Sequence, residues 1–199
     1  RFNKQEINMT TAARFALAIT CATFAAQPAA AANRIFKMVP SAITCQTGAT
    51  GRVTVAPHGP AENMHVEIAG LPANTSFDFF ILQAPKAPFG ISWYQGDIKT
   101  DANGLGVGDF VGRFNVETFN VAPGATAAPS VHAGDAGTNP ATAPIHMYHL
   151  GVWFNSPADA VKAGCPGTVT PFNGEHNAGV QVLNTATFPN LAGPLKSIE

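Results

Sequence analysis

His146, His149 and His176, with Glu175 beside the last, are the side chains of this chain best suited to hold a transition metal. Imidazole and carboxylate groups bind zinc and copper when several of them converge on one point. The spacing works against such a site. His146 and His149 stand three apart on an expected strand, Ile145 to Phe154, and alternation sends them to opposite faces unless the strand bends. His58 and His65 straddle an expected turn, and His132 falls in a loop. A copper or zinc site built from His146 or His149 with Glu175 and His176 is therefore an alternative reading, and no cofactor is expected.

Nucleophilic catalysis needs a base and an orienting group beside the serine or cysteine. The chain has no G-x-S-x-G elbow, and His132 with Asp135 lies in a low-complexity stretch without rigid support. Asp97, Asp101 and Asp109 cluster on a hairpin, where turns favour aspartate for reasons unrelated to glycoside hydrolysis. Gly104-Leu105-Gly106-Val107-Gly108 follows a turn and precedes a strand, so no helix N-terminus is offered to a phosphate. No catalytic residue is assigned, and an extracellular hydrolase stands as a further alternative.

Aromatic side chains offer a different chemistry. Trp93, Tyr94, Tyr148 and Trp153 can stack on a carbohydrate or anchor a protein partner where they are exposed. Trp153 sits in an apolar strand and is expected in the core. Trp93 shares its strand face with Gln95 and Asp97, a half-wet face, so Trp93 and Tyr94 are the candidate ligand-binding residues. Asn74-Thr75-Ser76 is a glycosylation sequon, of use only in a cell with that machinery.

The N-terminal segment decides which cysteines count. Met9 is followed by Arg14 and the apolar run Phe15 to Ala26, then by Ala30-Ala31-Ala32, which has the form of a secretory signal cut before Asn33. Residues 1–8 read as a mis-set start, residues 9–32 as the signal peptide and residues 33–199 as one domain. The apolar run is too short to span a bilayer, so no membrane span is expected after cleavage. Loss of Cys21 with the signal leaves Cys45 and Cys165, an even pair expected to form a disulfide in an oxidising compartment.

These residues need strands to carry them. Alternation predicts strands at Ile35–Val39, Gly51–Ala56, Met64–Ile68 and Ser76–Gln83, with Pro57-His58-Gly59-Pro60 breaking the chain between the second and third. Ile91 to Lys99 runs into the Asn103-Gly104 turn, and Gly106 to Val116 returns as a hairpin. Residues 122–144 hold almost nothing large enough to pack and read as a long flexible loop. After Ile145–Phe154, Ser156-Pro157-Ala158-Asp159 has the signature of a helix N-terminus, and Lys162 and Gly164 close the helix just before Cys165. Thr168-Val169-Thr170, a turn at Asn173-Gly174 and a strand at Gly179–Leu183 complete the domain.

Seven or eight short strands with one short helix predict an all-β fold, an antiparallel immunoglobulin-like β-sandwich. The 199 residues, 46% hydrophobic and 12% charged, suit one buried core, and a net charge of −1 leaves no basic field for nucleic acid. Leu71-Pro72-Ala73-Asn74-Thr75-Ser76-Phe77 resembles the corner that leads into a central strand of fibronectin type III and related immunoglobulin-like domains. It departs from them in an early proline and in Phe77, which stands where the family has a tyrosine. The block from His149 to Phe154, with Gly164-Cys165 and Pro171 to Gly174, is similar to uncharacterised secreted bacterial proteins, which implies no activity. The preferred reading is a secreted or cell-envelope binding or structural module without catalysis, its partner an extracellular protein or carbohydrate.

Overall fold

A computed structural model describes residues 32–116, 118–121, 144–165 and 175–198. Residues 1–31, Glu117, residues 122–143 with His132 and Asp135, and residues 166–174 with Thr168-Val169-Thr170 and Asn173-Gly174 lie outside the described residues, so the loop expected at 122–144 falls almost wholly outside them.

The fold is antiparallel β. The strands are β1 (Arg34–Pro40), β2 (Thr50–His58), β3 (Ala61–Ala69), β4 (Ser76–Leu82), β5 (Ser92–Lys99), β6 (Gly106–Gly112), β7 (Phe119–Val121), β8 (Pro144–His146), β9 (His149–Phe154) and β10 (Gln181–Asn184). A helix, α1 (Pro157–Lys162), and a 3-10 turn at Pro194–Ser197 are added. Eight strands form one sheet in the order β5-β4-β9-β10-β1-β2-β3-β6, while β7 and β8 pair apart from it. Strand β1 joins two halves, because Arg34 to Met38 pair with β2 and Val39 and Pro40 pair with β10. The sheet curls until its edge strands meet at a single bridge, Thr100 to Gly106, which makes it a nearly closed, barrel-like sheet.

Period-two patterning puts the core inside that curl. Val53 and Val55 of β2 and Met64, Val66 and Ile68 of β3 point inward, against Phe77, Phe79 and Ile98 from the far half. Each such side chain contributes roughly 1.5–3 kcal/mol of burial. The outer face of β2 and β3 stays wet, with Arg52 and Glu67 3.2 Å apart. Strands β4 and β9 are covered on both faces, since Phe80, Leu82, Trp153 and Ala178 form a second cluster outside the sheet under Phe89 and Tyr94.

Several local expectations need correction. The hairpin expected from Ile91–Lys99 and Gly106–Val116 does not form: β5 pairs with β4 and β6 with β3, so the two strands are opposite edges of the sheet and the segment between them crosses from one edge to the other. Strand β2 continues through Pro57 and His58, and Gly59-Pro60 alone make the turn, with Gly59 at φ +59°. Pro57 is tolerated because β1 begins opposite Val55, which leaves the missing N–H of Pro57 on an unpaired flank. The return strand stops at Gly112 rather than Val116, because the Phe114 N–H turns to the Glu62 carboxylate and the Val116 N–H to the carbonyl of Ile198. Ile145–Phe154 is two strands. The chain breaks at Met147 and Tyr148, whose carbonyl accepts the Leu195 N–H instead of a sheet partner. His146 and His149 therefore belong to different strand pairs and not to two faces of one strand.

The helix follows its sequence signals closely. Ser156 accepts the Asp159 N–H at 3.1 Å and donates to the Asp159 carboxylate at 2.6 Å, Pro157 opens the first turn and Gly164 leaves it at φ +76°. Cys165 then joins Cys45, tying the helix end to the segment between β1 and β2. The bridged residues are 120 apart in sequence, so opening the bridge frees a large loop in the unfolded chain. Replacing both cysteines by serine should lower the unfolding free energy by about 2–5 kcal/mol in denaturant titration, without changing the circular dichroism of the native state. Equal stability of the two proteins would show that the bridge contributes nothing.

Candidate functional site

The seam between the two edge strands makes the site. Near the turn at Asp101–Leu105 it is shut: Ile98 of β5 lies against Gly106 and Gly108 of β6, and Phe110 covers Gly96 and stacks on Phe79 at 5.1 Å. A Cβ at Gly108 would come within 2.8 Å of Ile98, so the closure needs glycine there. The turn is held by Asp101, which accepts the N–H groups of Asn103 and Leu105 at 2.8 and 2.9 Å. Those backbone bonds, that of Leu105 foremost, hold its carboxyl below the usual carboxylate range.

Beyond Phe110 the edge strands part and a groove of about 410 Å³ opens. Its floor is Ile81, Phe114, Met147 and Leu195, all buried. Trp93 and Gln95 of β5 form one lip, Val111, Gly112 and Arg113 the other, and Thr118, Phe119 and Asn120 close the end. Gly112 leaves the space taken by the Phe114 ring, since a Cβ there would sit 2.9 Å from it.

A bulge decides which side chains reach this groove. Opposite β4 the register shifts between Phe79 and Phe80, so that Phe79 faces Gly96 and Phe80 faces Tyr94, leaving Gln95 as the extra residue. Trp93 and Gln95 thus share the groove, as their spacing suggested, but Asp97 does not. It passes to the outer face with Tyr94, whose hydroxyl donates to the Asp97 carboxylate at 2.9 Å. Burial, and then the carboxylates of Asp97, Asp78 and Glu175, push the Tyr94 phenol well above its ordinary value. Tyr94 is therefore part of the outer cluster, packed on Phe80, and not of the groove.

The corner behind the groove was not foreseen. Glu62 is buried, and its carboxylate accepts the Phe114 N–H at 2.7 Å and the Asn115 amide at 2.9 Å, fixing the wall where β6 ends. The signal was present in the sequence. Glu62 stands two before Met64, on the phase of β3 that points inward, and an acid on that phase must find buried donors.

No protein-family model matches the chain, and no curated protein matches it in sequence.

The structure places the histidines apart in character. His149 is fully buried, its Nε2 within 3.0 Å of the carbonyls of both Pro189 and Asn190, its Nδ1 2.9 Å from the Thr185 hydroxyl. Two carbonyls at Nε2 require the proton there, so Nδ1 accepts from Thr185. His146 stacks on Tyr148 with ring centroids 5.0 Å apart, with Phe119 edge-on to it. Glu175 and His176 are exposed. Among the described residues no three His, Cys, Asp or Glu side chains come together as a metal-ligand set. The aspartates of the expected hairpin also separate: Asp97 meets Tyr94, Asp101 holds its turn, and Asp109 pairs with His65 at 2.6 Å.

Burial pushes the His149 imidazole below 6.5, against the opposing pull of the carbonyls of Pro189 and Asn190, so the folded protein keeps it neutral. The unfolded chain takes up that proton first as pH falls, so this contribution to stability is intact above about pH 6.5 and is lost as pH drops below it. His149→Gln should therefore be less stable than the parent at pH 8, with the gap narrowing towards pH 5 in denaturant titrations. A constant gap would mean that His149 titrates alike in both states.

Proposed function

We propose that this chain is a secreted or cell-envelope binding module, without catalysis, that works through the groove at the β5–β6 seam. The observation that carries this reading is Trp93, 55% exposed at the lip of a mostly apolar groove while every neighbouring ring on β4 and β9 is buried. A large exposed aromatic costs solubility unless something covers it, and concave apolar sites with a few polar groups are where ligands bind.

Export is supported by the Cys45–Cys165 disulfide, which fits an oxidising compartment, and by the apolar run Phe15 to Ala26. The start of β1 at Arg34 supports a cut before Asn33, and a bacterial source fits the alanine-rich leader. Among the described residues no helix is long and apolar enough to cross a membrane.

We also read the two halves as an immunoglobulin-like sandwich. With β1 set aside, one half runs β2-β3-β6 and the other β10-β9-β4-β5. Taking β2 to β6, β9 and β10 as strands A, B, C, C′, E, F and G puts A-B-E in one sheet and G-F-C-C′ in the other, an order that supports this reading. In this arrangement β1 is an added strand that spans the two sheets.

Co-sedimentation with cell envelopes of the producing organism tests the binding role. The parent protein should pellet with them and Trp93→Ala should stay in solution, its apparent affinity reduced about tenfold or more. Equal pelleting of the two proteins, or none by either, removes the groove from the account.

A further inference from the structure

We propose that the groove takes a neutral saccharide, with the Trp93 indole as its stacking platform; this rests on the groove being the binding site. Trp93 and Phe119 are 55% and 43% exposed and both line the groove, so two aromatic rings stand open to a ligand. The C–H face of a pyranose ring is apolar and flat enough to cover an indole, while its rim is a ring of hydroxyls that both donate and accept. An amide matches such a rim, because it offers one acceptor and two donors on a short, uncharged group. Three amides line the groove, and that of Asn115 is engaged with the Glu62 carboxylate. That of Gln95 makes no hydrogen bond among the described residues, and Asn120 directs its Nδ2 to the Met147 sulfur at 3.5 Å, leaving its Oδ1 as an acceptor.

Charge narrows the ligand further. Among the described residues no carboxylate lines the groove. Among the described lining residues the one formal charge is Arg113, whose guanidinium donates to the carbonyl of Pro60. An uncharged ligand suits these described lining residues, and the volume of about 410 Å³ lies at the small end of ligand sites, roughly 300–1,000 Å³. The unpaired flanks of β5 and β6 also offer backbone groups to an extended peptide, while the side-chain amides beside the exposed rings favour the saccharide.

Fluorescence titration of the full-length protein tests the ligand class, because Trp153 is buried and Trp93, the only other tryptophan, reports on the groove. The probes are cellotetraose, maltotetraose and chitotetraose, run beside a neutral threonine- and valine-rich hexapeptide. At least one saccharide should change the emission saturably, and the midpoint should weaken about tenfold or more in Gln95→Ala, whose melting temperature should equal that of the parent. In Trp93→Ala the same saccharide should show weakened binding by calorimetry. No saturable response to any of the three saccharides up to about 10 mM overturns the assignment. Saturation by the hexapeptide alone overturns the saccharide class and leaves the groove as a binding site. Silence from every probe, together with envelope binding that ignores Trp93, removes both.

Discussion

At positions 106 and 108 the inward face of β6 carries no side chain, and Ile98 of β5 fills the space that results. This contact lets the two ends of an eight-stranded sheet meet, although a single bridge is their only pairing. A methyl group at either glycine would press within 2.9 Å of its neighbours, and the edge strands would have to separate. Open edges are a hazard in a soluble sheet, and packing edge against edge is one way of blunting them. The stack of Phe110 on Phe79 extends the closure by one more residue and then ends, because Phe114 turns away to Glu62. The groove is what the seam becomes where glycine-backed packing runs out.

Burial on both faces of β4 and β9 follows from the same curl. Their inner faces complete the core, and their outer faces, with Phe80, Leu82 and Trp153, are roofed by Phe89 and Tyr94. Backbone groups of strands sealed in this way must be paired, and both strands have partners on each side. His149 serves this end at the start of β9. Its ring bridges Thr185 to the carbonyls of Pro189 and Asn190, so a polar side chain on a buried strand satisfies groups that the sheet leaves open.

Much of the architecture was legible because its signals are local. The cap at Ser156, the alternation through Val53, Val55, Met64, Val66 and Ile68, and the Cys45–Cys165 pair each depend on short stretches or on counting, and each stands in the structure as expected. The chain does turn at Asn103-Gly104, but the strands on either side pair with β4 and β3 rather than with each other, a choice the turn residues do not encode. The strand ends were less legible. Gly112 and the break at Met147 and Tyr148 are set by Glu62 and by the 3-10 turn at Pro194–Ser197, partners 50 and 47 residues away. Trp93 could be singled out for its half-polar neighbours, yet pairing it with Asp97 failed, since a bulge against β4 moves Asp97 to the other face.

The order of residues by itself determined an all-β chain with one capped helix and one cystine, because period, turn chemistry and the cysteine pair act over short stretches or by elimination. Only the tertiary structure decided that Trp93 and Gln95 look across at Val111 and Phe119, that His149 is spent on backbone carbonyls, and that Glu62 holds the corner between them and the core. Those outcomes depend on how far a sheet curls and where its register slips. Curl and slip are set by packing between strands distant in the chain, which no local pattern encodes.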